Sequence, residues 1–263
     1  MPTAELNGTT LYYEEYGSGY PVVFLHGYAG TTQMWKPQVP VLSKNYRFII
    51  YDARGHGQSL SPPSPDQYSA DIVVEDLYQL LGALDIPKAV LGGLSMGGYQ
   101  CLRFYLRHPE MVTALILMNT GPGYRNPGRM AKWNQEREER ARILETEGVA
   151  AFADYAEALA ELTYTPRELM LQQNPTGLAN MGRRVVAQHD TEVIERLGEV
   201  KVPTLVVFGE DDALFLTAAD YMSKVISGVQ RVNIPHAGHA VNIDNVAAFN
   251  QAVIGFLDKL HLN

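Results

Sequence analysis

The chain has 263 residues, 46% of them hydrophobic, which suits one sizeable domain with a large core and argues against wholesale disorder. Its formal charge of −8 argues against strong attraction to nucleic acid or to an anionic membrane surface. A single cysteine, Cys101, excludes an internal disulfide. The segment after Met1 has neither the basic start nor the apolar run of a signal peptide, and no stretch reaches the roughly 18 apolar residues of a membrane helix. A cytoplasmic location is the expectation.

Taken in order, residues 11–16 read as a strand bounded by turns at Asn7-Gly8 and Gly17-Ser18-Gly19. Short apolar runs at 22–25, 48–51, 89–91, 114–118 and 205–208 have the composition of buried parallel strands, covered on both faces. Residues 229–234 complete the set. Helical patterns lie between them, at 72–84, 96–107 and 246–260. Strand–helix alternation predicts an α/β protein with a mostly parallel, doubly wound sheet. From 121 to 198 the alternation stops. A Gly/Pro turn at Gly121-Pro122-Gly123 leads into a charge-dense helix at 131–147, and Val149, Phe152, Tyr155, Leu159 and Leu162 then share one helical face. The expected division is a core of 1–120 and 199–263 with a helical cap insertion at 121–198.

The chemistry gathers at strand ends. Gly93-Leu94-Ser95-Met96-Gly97 follows an apolar strand and opens a helix. A hydroxyl nucleophile must stand clear of the sheet on a sharp turn, and glycines at 93 and 97 relieve the crowding this causes. The helix from Met96 aims N–H groups at the same place. Serine needs a base. His239 lies just after the last strand, with His236 in the same loop. An acid must hold the imidazole, and Glu210, Asp211 and Asp212 all follow the 205–208 strand. The oxyanion donors are expected to be the N–H of Met96, the residue after the nucleophile, and that of Tyr28, in an early strand-to-helix loop. The side chain of His26, beside Tyr28, is expected to bond loop backbone. The spacing of His236 and His239 is not accompanied by a metal-binding motif, so neither a metal nor a cofactor is expected.

Together, Leu25-His26-Gly27-Tyr28, the segment from Asp52 to Ser59, Gly93–Gly98, Gly209-Glu210-Asp211-Asp212 and Gly238-His239 resemble the α/β-hydrolase superfamily. The resemblance implies the α/β-hydrolase fold, Ser95 as nucleophile, His239 as base and Asp212 as the acid, and a structural role for Asp52, Arg54 and His56. Residues 34–40 and 92–98 are similar to carboxylesterases and to 3-oxoadipate enol-lactonases. Haloalkane dehalogenases and epoxide hydrolases share the scaffold but carry aspartate where this chain has Ser95. The expected function is therefore hydrolysis of small short- to medium-chain carboxylic esters through an acyl-enzyme. Lactonase, carbon–carbon bond hydrolase and perhydrolase chemistry use the same triad, and a ligand receptor on the hydrolase scaffold is the non-enzymatic alternative. The expected partner is a small-molecule ester. Arg183 and Arg184 are candidates for binding a dienoate if the bond cleaved is carbon–carbon, and a solvated helix end accounts for them equally well.

Overall fold

The computed structural model describes residues 2–262, so Met1 and Asn263, at the outer ends of the expected core segments, lie outside the described residues. Eight strands form one sheet: β1 (Thr3–Leu6), β2 (Thr9–Tyr16), β3 (Tyr20–Leu25), β4 (Tyr46–Tyr51), β5 (Ala89–Leu94), β6 (Val112–Met118), β7 (Thr204–Gly209) and β8 (Gln230–Ile234). Their order is β1-β2-β4-β3-β5-β6-β7-β8. The pairings of β2 with β1 and β4 are antiparallel, and all those from β4 across to β8 are parallel. This is the α/β-hydrolase fold. The central strands β5 and β7 are buried at every position, which is why they read as continuous apolar runs instead of alternating.

The helices are α1 (Val39–Leu42), α2 (Ala70–Ala83), α3 (Met96–Arg107), α4 (Pro127–Thr146), α5 (Gly148–Ala158), α6 (Arg167–Met170), α7 (Pro175–Met181), α8 (Glu192–Arg196), α9 (Ala213–Val225), α10 (Val241–Asp244) and α11 (Val246–Leu257). Between β6 and β7 the chain is helical, from α4 to α8, with a π-helical turn at Gly182–Val186. Pro127 at the start of α4 and the Asn126 side chain, which accepts from Arg129 N–H at 3.0 Å, set where that helix begins, four residues before the charge-dense stretch expected at 131–147. The segment does not all sit apart from the sheet. Residues 190–196 lie against α3, where Arg103 reaches Asp190 at 2.9 Å and Arg107 pairs with Glu192.

Candidate active site

Ser95 sits between β5 and α3 with φ 53° and ψ −113°, a backbone conformation that L residues adopt only when their surroundings impose it. The surroundings are tight. A Cβ on Gly93 would collide with the Gly97 carbonyl carbon, and one on Gly97 with the carbonyl oxygens of Leu25 and His26. Strand, turn and helix therefore cross at contact distance, and the serine side chain is left half-buried at the floor of a cavity.

The ends of four other strands, β3, β6, β7 and β8, converge here. The imidazole Nδ1–H of His239 donates to Asp212 Oδ2 at 2.7 Å, and Asp212 is 6% exposed in its side chain. Glu210 and Asp211, its neighbours, are exposed, and so is His236. The structure thus brings Asp212 and His239 together and leaves the other candidates in solvent. The reason lies in the backbone. The N–H groups of Glu210 and Asp211 donate to the carbonyls of Ile234 and Ala237, tying the turn after β7 to the loop after β8. Gly209 permits it, because a Cβ there would strike the carbonyls of Ala237 and Gly238. The His239 ring stacks on Phe215, with centroids 5.1 Å apart, and has Tyr164 on another side at 6.0 Å. Among the described residues, no hydrogen bond joins His239 Nε2 to Ser95 Oγ. Catalytic hydrogen bonds of this kind are commonly long until substrate is bound.

Asn119, just past β6, is a residue that sequence reasoning missed. Its Nδ2 donates to Asp212 Oδ2 and to Gly238 O, both at 2.8 Å, and its Oδ1 accepts from Gly209 N–H at 2.9 Å. One side chain fixes the acid, the strand behind it and the histidine loop. Its positive φ of 38° is of a piece with this, since asparagine tolerates the left-handed region better than most residues. Tyr164 was missed as well. Its hydroxyl donates to Tyr28 O at 2.6 Å, so the helical segment grips the loop after β3.

That loop is held from beneath by two histidines. His26 Nδ1–H donates to Gly27 O at 2.7 Å while its Nε2 accepts from Ala53 N–H at 3.0 Å. His56 Nε2 accepts from Ala29 N–H at 3.0 Å. The Asp52 carboxylate accepts from the N–H groups of Thr32 and Gln58 at 2.7 and 2.8 Å, and Arg54 makes a two-armed ion pair with Asp76. These side chains therefore shape the loops, as expected of them. The N–H groups of Tyr28 and Met96 have no hydrogen-bond partner among the described residues. Cys101 is buried, and burial pushes its thiol up to about 12, which suits an inert structural thiol.

The buried histidines make acid stability predictable. Protonating either ring would turn its accepting Nε2 against a backbone N–H. Burial pushes His26 down to about 4 and His56 well below the ordinary histidine range. In the unfolded chain both titrate near 6.5. Below that pH the unfolded chain binds protons that the folded chain refuses, so stability falls as pH drops from about 6.5 toward 4. Asp52 opposes this in the lower part of the window, since burial raises its carboxyl to about 6 and the folded chain takes up that proton first. Two histidines oppose one aspartate, so the balance is a net loss of stability on acidification. Urea midpoints at pH 7 and pH 4.5 should show it, with much of the decline already present at pH 5.5. A midpoint that holds or rises would contradict it.

The cavity above Ser95 has a volume of about 610 Å³. Its walls come from the loop after β6, the first turns of α4, the π-helical turn and the start of α9. Arg183 turns away from it, paired with Glu138 and Glu145, and Arg184 is exposed. Among the described residues, no group of three or more His, Cys, Asp or Glu side chains is placed to hold a metal ion, and no helix is long and apolar enough to cross a membrane.

Residues 20–246 match the family described as the alpha/beta hydrolase fold, and the chain belongs to that family. A Bacillus subtilis protein named as a 2-succinyl-6-hydroxy-2,4-cyclohexadiene-1-carboxylate synthase is 30% identical over 249 residues, covering 91% of this chain and 90% of that one. The enol-lactonase of Burkholderia xenovorans LB400 superposes with a TM-score of 0.83 at 28% identity, over 98% of this chain and 100% of its own. An esterase from Thermogutta terrifontis superposes with a TM-score of 0.85 at 27% identity, over 99% and 100% of the two chains. The protein is thus a hydrolase of the α/β fold, similar to esterases and enol-lactonases.

Proposed function

We propose that this chain is a serine hydrolase that cleaves small carboxylic esters, with Ser95, His239 and Asp212 as its triad. The observation that carries the reading is the 2.7 Å bond from His239 Nδ1 to buried Asp212, beside a cavity whose floor presents Ser95 on a strained turn. Asp212 fixes the tautomer in which Nε2 is free to accept a proton. Ser95 Oγ attacks the ester carbonyl carbon as its proton passes to Nε2. The N–H groups of Tyr28 and Met96 receive the oxyanion. Collapse of the tetrahedral species breaks the bond to the alkoxy group, which leaves as alcohol with the proton from His239. Water then attacks the acyl-enzyme, gives its proton to Nε2, and releases the acid as Ser95 recovers that proton. The likeness to an esterase and an enol-lactonase supports cleavage at an acyl C–O bond.

The helical segment between β6 and β7 acts in this proposal as a roof that limits acyl length. Each methylene that enters the pocket contributes up to about 0.8 kcal/mol, and the gain stops when the pocket is full. Over a series of p-nitrophenyl esters, kcat/KM should peak at roughly two to eight carbons by this pocket-filling argument. A rise continuing to sixteen carbons would show an open lipid-accepting site. Absence of turnover across the whole series would favour a receptor role.

A further inference from the structure

The charged residues of the cavity wall are mostly cations. Arg125, Arg129 and Lys132 line it, against Glu136 as the one carboxylate in the lining, although the chain as a whole carries −8. Glu136 is also spoken for, since Arg137 pairs with it at 3.1 Å. Positions 129, 132, 133 and 136 fall on one face of α4, the face turned to the cavity. Other acids of the same helix, Glu138 and Glu145, are drawn off the cavity to Arg183. Arg129 and Lys132 make no side-chain hydrogen bond or ion pair among the described residues. Arg125 spends one N–H on Ile194 O at 3.0 Å and keeps the rest. The N-terminal end of α4 lies at the same rim, and its helix dipole adds positive potential there. The same cavity that reaches Ser95 is otherwise mostly apolar, with Met96, Trp133, Val185, Leu214 and Phe215 in its lining.

We propose that the pocket takes esters that bear a carboxylate or similar anion, separated by a short apolar spacer from the carbonyl that Ser95 attacks. A cleft lined by cations concentrates anions and orients them. Arg129 and Lys132 would bind the anion directly, and the apolar wall would cover the spacer. This names the substrate class of the site proposed above and rests on that reading.

The test compares mono-4-nitrophenyl glutarate with 4-nitrophenyl valerate, which has the same acyl chain length without the carboxylate. The anionic ester should be preferred in kcat/KM by at least tenfold at 20 mM NaCl, with the ratio shrinking at 300 mM as salt screens the contact. In the Arg129→Gln/Lys132→Gln variant the ratio should fall at least tenfold. Separately, in Ser95→Ala, Trp133 fluorescence should report tighter binding of monomethyl glutarate than of dimethyl glutarate, and the added charge-neutralising substitutions should remove the difference. Turnover of valerate with no preference for the glutarate, unchanged in the variant, would overturn the anion proposal and leave the esterase reading standing. Selective binding of monomethyl glutarate without turnover of either ester would do the reverse.

Discussion

Ser95→Ala should reduce ester hydrolysis on the order of a million-fold in kcat while leaving the fold intact, the scale seen when a serine triad loses its nucleophile. The substitution removes one oxygen from a half-buried side chain that makes no capping hydrogen bond, so little stability is lost with it. The strained backbone at φ 53° remains, imposed by the contacts of Gly93 and Gly97. Any residual rate would come from the N–H groups of Tyr28 and Met96 polarising the carbonyl for attack by water. A loss of less than about tenfold, with an unchanged melting temperature, would remove Ser95 from the mechanism.

Asp212→Asn should cost about four orders of magnitude in kcat, and Asp211→Asn very little. The two carboxylates are adjacent, yet only Asp212 is buried and bonded to His239. Asparagine at 212 would present an amide where a carboxylate now accepts from both His239 Nδ1–H and Asn119 Nδ2–H. Both donors converge on Oδ2, so an amide NH2 in that place faces both and is accepted only by the imidazole tautomer whose Nε2 carries the proton and cannot take one from Ser95, whereas an amide oxygen there keeps both bonds as a neutral, weaker acceptor. The imidazolium that forms in the transition state would also lose its counter-charge. Equal effects at 211 and 212 would point to a general electrostatic role and not to the 2.7 Å bond.

The sequence shows some of this plainly and hides the rest for physical reasons. The turn at Ser95 is legible because its causes are local: a run of apolar residues, two glycines that must cross closely, and a helix start, all within ten residues. The parallel strands are legible because burial on both faces removes their polar positions. The antiparallel edge strand β1 was not expected, since its four residues alternate between exposed and half-buried and carry too few apolar side chains to stand out. The short helices α6 and α7 escape as well, because four and seven residues are too few to display a period of 3.6. Position alone leaves Glu210, Asp211 and Asp212 as acids, and Asp212 is singled out only by the resemblance, because the physical choice among adjacent carboxylates depends on how the turn after β7 locks to the loop after β8. Asn119 and Tyr164 act through partners about a hundred residues away. Nothing in their own neighbourhoods marks them. Asn119 does follow a strand end, as Ser95 does, and that is the one signal by which it was within reach.

The central claim is that Ser95 is the nucleophile, activated by His239. It is tested most directly by reacting the protein with a fluorophosphonate and locating the adduct by intact and peptide mass spectrometry. One adduct per chain should form, on the peptide that contains Ser95, with concurrent loss of esterase activity. His239→Ala should slow its formation by orders of magnitude, and His236→Ala should leave the rate close to that of the unmodified sequence. An adduct on another residue, or labelling of Ser95 at the same rate without His239, would contradict the account.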